Sequence, residues 1–208
     1  MAELALVLYG VYLGLAFGLR SWLQKRRTGS TGFHGISGRL GRSPEWLGGV
    51  LFVVALALGF AAPILDLAEI LDPVPALDGD LAQGVGVVLA FVGIDLTLYA
   101  QVAMGTAWRI GVDENERTTL VTNGPFAVVR NPIFAAMLPT AIGLALLVPN
   151  VAGLAGAVVL FVALELQTRV VEEPYLLTTH GAAYRDYAAR VGRFLPRIGR
   201  LAGRGGAM

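Results

Sequence analysis

The chain has 208 residues, 55% of them hydrophobic and 15% charged, with a mean hydropathy of +0.66 and a formal net charge of +1. Soluble domains carry about 25% charged residues, so this composition excludes an ordinary water-soluble domain and points to one membrane-embedded helical bundle. Cysteine is absent, which excludes disulfides, thiolate metal sites and cysteine nucleophiles.

Five apolar runs follow in chain order: Ala2 to Leu19, Trp46 to Leu67, Leu81 to Met104, Phe126 to Val148 and Val151 to Val171. Each is near the roughly 20 residues that a spanning helix needs. The first begins beside Glu3 rather than a basic segment, so a spanning helix is expected there and not a cleavable signal peptide. The 16 Lys and Arg residues divide unevenly between the connections. Segment 20–45 holds Arg20, Lys25, Arg26, Arg27, Arg39 and Arg42; segment 105–130 holds Arg109, Arg117 and Arg130; the remaining seven lie from Arg169 onward. Segment 66–80 has only acidic charge, in Asp66, Glu69, Asp72, Asp78 and Asp80. Five spans put every cation on one side, which predicts an external N-terminus and a cytoplasmic C-terminus, and the Ala/Gly/Arg-rich composition points to a bacterial inner membrane.

Between spans four and five only Pro149-Asn150 intervenes, which predicts a tight antiparallel hairpin. That hairpin brings Arg130 beside Glu172-Glu173. Gly153 and Gly156 are spaced for close helix packing. Pro174 suits the first turn of a new helix. The helix-like spacing of Leu176, Leu177, Tyr184, Tyr187, Val191 and Phe194 predicts an amphipathic helix on the cytoplasmic interface, broken near Gly181. Residues 199–208 read as a mobile Gly/Arg-rich tail, and the basic C-terminal section as a partner for anionic lipid.

Several residues stand out chemically. Asp95 and Glu165 lie within spans, where charge is costly and normally faces a cavity or a partner. Glu165 and Arg169 are four apart, the spacing of a helix-face ion pair. The stretch Asn123-Gly-Pro-Phe-Ala-Val-Val-Arg-Asn-Pro-Ile-Phe134 has two X-Pro steps that interrupt any helix. Arg130 in it either grips a carboxylate or phosphate bidentately or is a loop arginine reaching the headgroups. Glu172-Glu173 at a helix C-terminal end opposes the helix dipole, which calls for a cationic partner. His34 and His180 have no second ligand at metal spacing, so no metal site is expected, and no nucleic-acid-binding pattern is present.

Taken in order, Gly105-x-x-Trp108, Leu120-Val-Thr-x-Gly124-Pro125-Phe126-x-x-Val-Arg130-Asn131-Pro132-x-Phe134, Arg169-x-x-Glu172-Glu173-x-x-Leu176, Gly181-x-x-Tyr184-x-x-Tyr187 and Pro196 resemble the isoprenylcysteine carboxyl methyltransferase and phospholipid methyltransferase superfamily. The resemblance covers residues 105–197. It implies a membrane enzyme using S-adenosylmethionine in a pocket at the cytoplasmic side. Carried over by position, it implies catalytic roles for Arg130 and Glu173, and cofactor contacts from Trp108, Gly124, Pro125, Arg130, Asn131, Pro132, Glu172, Glu173, Tyr184 and Tyr187. Arginine suits the cofactor's carboxylate, glutamates its ammonium or ribose hydroxyls, and aromatic faces its sulfonium. The family motif reads Arg-His-Pro-x-Tyr; here Asn131 and Phe134 replace the His and the Tyr.

The expected protein is therefore an all-α integral membrane protein of about five transmembrane helices plus a C-terminal cytoplasmic interfacial helix. Its expected parts are a three-helix region (1–104), a methyltransferase-like region (105–197) and a mobile basic tail (198–208). The expected partners are a lipophilic acceptor (a carboxylate, amine or thiol) and membrane lipids, with Asp95 and Glu165 as candidates for the acceptor cavity. Alternative readings are an NADPH-dependent membrane reductase of related architecture and a non-enzymatic membrane protein with a degenerate pocket.

Overall fold

A computed structural model describes residues 1–33, 35, 40–41, 43–111 and 119–202. His34, Arg39, Arg42, Arg117 and the tail from 203, on which several expectations fall, lie outside the described residues.

Among the described residues the chain is helical and forms no extended strand. Helix α1 (Ala2–Leu13) runs through a π turn, Gly14–Leu19, into α2 (Arg20–Thr28), giving one 27-residue rod. Gly29, at φ 81°, ends it, since a left-handed C-cap favours glycine. Helix α3 (Pro44–Leu67) starts where the Ser43 hydroxyl accepts a hydrogen bond from the Trp46 amide and Pro44 fills the first position. Helix α4 covers Asp80–Met104 and α5 Pro132–Leu147. Helix α6 (Val151–Leu166) continues through a second π stretch, Gln167–Glu172, into α7 (Glu173–Arg190).

Four of these helical rods are long and apolar enough to cross a membrane, namely α1–α2, α3, α4 and α6–α7. At 16 residues, α5 is shorter, about 24 Å. The fourth span, expected from Phe126, begins as a helix only at Pro132: Gly124–Ala127 forms a 3-10 turn, and Asn131 (φ −124°, ψ 64°) leaves the helical region ahead of the proline. Nor does a helix end at Glu172-Glu173. The π stretch carries the backbone onward into α7, so these carboxylates do not face a helix C-terminal end. The expected break at Gly181 is present, at φ 54° and ψ −121°.

Helix α4 packs along α5, and α3 along α6, with small residues at both seams. A Cβ on Gly143 would stand 2.9 Å from the Ala90 Cα, and one on Gly156 would stand 3.2 Å from the Gly59 amide nitrogen. Backbones this close gain dispersion contact that lipid does not replace. Polar ties fix the register. The Tyr9 hydroxyl donates to the Leu56 carbonyl at 2.7 Å. Fully buried Asn150 donates to the Ala62 carbonyl at 2.9 Å and accepts from the Gly153 amide at 3.1 Å, capping α6. The outward faces carry exposed Val53, Phe60, Val88, Phe91, Val158 and Phe161, as an integral membrane protein requires.

The α4–α5 seam yields a test. Gly143→Val forces the two backbones apart and is expected to destabilise the bundle by about 1–3 kcal/mol, read as a lower melting temperature of the detergent-purified chain.

Candidate functional site

The polar stretch before α5 is held by one ion network. The hairpin returns the chain so that α7 starts beside the entry to α5. There Arg130 and Glu173 meet, Nη2 to Oε1 at 2.6 Å, both groups buried. Arg193 grips the same carboxylate with Nε on Oε1 at 2.9 Å and Nη2 on Oε2 at 3.0 Å. Hydrogen bonding to Glu173 pushes the Arg193 guanidinium above its ordinary value, and burial opposes this. Arg130 also donates to the carbonyls of Ala188 at 3.0 Å, Val191 at 2.5 Å and Gly199 at 2.9 Å. Its Nε is buried without a partner.

Backbone pairing follows the same path: Arg130 N donates to Gly192 O at 2.8 Å and Asn131 N to Arg193 O at 3.1 Å. Ile198, Gly199 and Leu201, placed by the sequence in or at the edge of a mobile tail, are tied here by hydrogen bonds to Arg193, Arg130 and Ala188.

Beside this network lies a cavity of about 390 Å³. Of the residues singled out in the sequence, Trp108, Arg130, Asn131, Pro132, Glu172, Tyr184 and Tyr187 line it. Tyr184 and Tyr187 are buried with rings 6.1 Å apart edge to face, and the Tyr187 hydroxyl donates to Phe126 O at 2.6 Å. The turn at Gly181 redirects α7 so that both rings face the motif loop.

Gly124, Pro125 and Glu173 do not line the cavity. Gly124, at φ 57°, shapes the 3-10 turn, and Glu173 serves the ion network.

Asp95 and Glu165 are also outside it. Asp95 is exposed on the outward face of α4, because the inward stripe of that helix is Ala90, Gly93, Ile94, Thr97 and Gln101. Glu165 pairs with Arg169 one turn on and lies 3.7 Å from Arg193. The helix-face ion pair is therefore present, and the acceptor-cavity expectation for both residues is corrected.

Sequence reasoning missed the part played by the first helix. Arg20 donates to Gly105 O and, at 3.0 Å, to Gln24 Oε1. Gln24 donates to Thr106 O at 2.7 Å, and the Arg20 guanidinium sits 4.7 Å from the Trp108 ring centroid. Trp108 thus has a protein cation on its ring. The 105–110 loop is latched over the cavity, with Ile110 N donating to Gly32 O at 2.7 Å. The signal available was Arg20 and Gln24 four apart, on one helix face. Deeper in, Tyr12, Thr97 and Gln101 also line the cavity.

The cavity has two chemical ends. Among the described residues its charged lining is Arg109, Arg130 and Glu172, all on the motif loops or the α6–α7 connection. Its other end, between α1, α3, α4 and α5, is walled by Phe17, Phe52, Leu56 and Met137. One space thus joins a charged, aromatic lining to an apolar one.

Comparison with known proteins agrees with this architecture. A family model described as phospholipid methyltransferase matches residues 81–183. A solved structure of a eukaryotic intramembrane Ras methyltransferase, isoprenylcysteine carboxyl methyltransferase without a monobody, aligns with a TM-score of 0.64 at 20% identity. That alignment covers 95% of this chain and 69% of that one, and at this identity it shows a shared fold. No curated protein matches the sequence. Residues 81–183, about half of the chain, are thus similar to the phospholipid methyltransferase family, and the chain shares its fold with an intramembrane methyltransferase.

The ion network predicts a split between adjacent glutamates. Glu173→Gln leaves Arg130 and Arg193 buried beside a neutral amide and is expected to cost about 3–5 kcal/mol. Glu172→Gln, outside the network, leaves the melting temperature near wild type. Thermal unfolding of the two variants, followed by circular dichroism, checks this.

Proposed function

We propose that this protein moves a methyl group from S-adenosylmethionine to a lipophilic acceptor. The observation that carries the reading is the single cavity with a charged, aromatic end and an apolar end between the helices. A water-soluble donor and a membrane-soluble acceptor meet in such a space without either crossing the bilayer.

The residues present fit the cofactor. Its carboxylate suits Arg109 and the Asn131 amide; its ammonium and ribose hydroxyls suit Glu172; the Tyr184 and Tyr187 rings suit the adenine and the sulfonium. Arg130 fits less as a carboxylate clamp than the sequence suggested. Both of its terminal nitrogens are engaged by protein acceptors, which leaves it a wall-building role beside its single spare Nε–H.

When bound, S-adenosylmethionine supplies an electrophilic methyl group on a sulfonium. Arg109, Asn131 and Glu172 would hold its polar groups, and it would supply that methyl to the acceptor's lone pair with a neutral thioether as leaving group. The protein's contribution is to align the acceptor opposite the leaving sulfur and to keep water out. The apolar walls and the latched 105–110 loop serve both ends.

By the bias of its cations the arginine-rich end is cytoplasmic and the N-terminus external, which puts the polar mouth where the cofactor is dissolved. A bacterial inner membrane is the proposed location.

Calorimetric titration of the detergent-purified chain is the test. S-adenosylmethionine and S-adenosylhomocysteine are expected to bind and NADPH is not. Glu172→Gln is expected to weaken both by about tenfold, the loss of one charge-assisted hydrogen bond. Failure of the folded wild type to bind either sulfur compound overturns the reading; binding of NADPH alone turns it to the reductase.

A further inference from the structure

Just inward of the polar end, the cavity wall carries neutral polar groups where α1 and its π turn meet α4. Gln101, 3% exposed, donates Nε2 to the Ala16 carbonyl at 2.8 Å, while its Oε1 is buried without a partner. Tyr12 lies one turn before Ala16 on the same face. It is 4% exposed, and its hydroxyl is buried beside Thr97 without a hydrogen bond of ordinary geometry. Thr97, one turn before Gln101, gives its proton to the Gly93 carbonyl at 2.8 Å, so its oxygen has only lone pairs to offer. All three side chains line the cavity. Gln101 is three residues from Met104, the end of α4 and another lining residue, so the patch borders the charged end rather than the far apolar one.

Acceptor oxygens outnumber donors in this patch. Gln101 Oε1 and Thr97 Oγ1 can only accept, and the uncommitted protons are that of the Tyr12 hydroxyl and the second N–H of the Gln101 amide. The charged lining residues Arg109, Arg130 and Glu172 belong to other segments. Burying such oxygens without donors is unfavourable, and a carboxylate brought against them adds more lone pairs. A ligand with a hydrogen-bond donor satisfies them.

We propose that Tyr12 and Gln101 are acceptor-positioning residues that read a hydroxyl or N–H donor on a neutral lipophilic molecule held in the apolar arm, and that they discriminate against carboxylates. Use of the word acceptor rests on the methyltransferase reading above; the donor-reading subsite itself does not.

The test uses the full chain in detergent micelles and three probes of equal chain length at matched mole fraction: 1-dodecanol, dodecyl methyl ether and dodecanoate. Calorimetry is expected to show dodecanol binding about tenfold tighter than the ether, the ratio expected when one buried hydrogen bond is lost, with dodecanoate weaker than dodecanol. Tyr12→Phe removes only a hydroxyl beside Thr97 that makes no hydrogen bond of ordinary geometry, and circular dichroism checks that the bundle stays folded. It is expected to abolish the preference for the alcohol while S-adenosylhomocysteine binds as in wild type. Gln101→Met is expected to do the same, and because it also cuts the tie to Ala16, Tyr12→Phe is the deciding variant. Equal binding of alcohol and ether by wild type overturns the proposal, as does a preference that survives in Tyr12→Phe. If the preference is present but S-adenosylhomocysteine does not bind wild type, the donor-reading subsite stands and the methyltransferase reading falls. If S-adenosylhomocysteine binds and the preference is absent, only the subsite falls.

Discussion

One carboxylate organises the end of the molecule where the cavity opens. Glu173 accepts from Arg130 and twice from Arg193, and this lets two arginines be buried at all. A lone guanidinium in such a place is prohibitively costly, and a pair with one partner removed is worse than no pair. Arg130 Nη1 donates to Ala188 and Val191. These are carbonyls at the C-terminal end of α7, which lack partners within the helix and favour a cation. Arg130 is therefore at once an ion-pair partner and a helix cap. Through its backbone pairing with Gly192 it also keeps residues 129–131 out of a helix. The non-helical entry to α5, and with it one wall of the cavity, depends on this arrangement.

The opposite wall comes from the other end of the chain. Arg20 and Gln24 project from α2 onto the carbonyls of Gly105 and Thr106, so the motif loop containing Trp108 is closed by residues about 80 positions earlier. A division of the chain at residue 104 separates groups that work together. The π turn at Gly14–Leu19 matters here. It lets one rod present Tyr12 to the interior of the bundle and Arg20 to the loop, a change of phase that a regular α-helix does not provide.

Hydropathy and the X-Pro steps made the fold legible, because lipid imposes a length and a polarity on every span. The two-residue connection at Pro149-Asn150 was enough to bring Arg130 to Glu173, a geometric consequence of antiparallel helices. Helical phase was harder. Asp95 looked functional because a carboxylate within a span is rare, yet Ala90, Gly93 and Gly86 mark the opposite face of α4 as the packed one. The neutral pair Thr97 and Gln101 shares that inward face. Charge drew attention away from hydrogen-bonding groups with more to do in the interior. The roles of Glu172 and Glu173 were not separable from a dipeptide: only the path of the π stretch decides which carboxylate meets the arginines and which meets the cavity.

The two departures from the family motif follow the same division of labour. Asn131 places its amide on the Arg193 carbonyl at 3.4 Å and its backbone N–H on the same oxygen at 3.1 Å; a side chain that titrates near neutrality is not needed to hold that loop. Phe134 faces the cavity as bare hydrocarbon. With a neutral residue and an apolar one at these positions, the motif adds no charge to the wall beyond Arg130, and among the described residues Arg109, Arg130 and Glu172 are the charged lining. The resulting gradient runs from charged to neutral polar to apolar along one space, and a charged group placed among Phe17, Phe52 and Met137 would meet the desolvation cost that governs everything buried in this molecule.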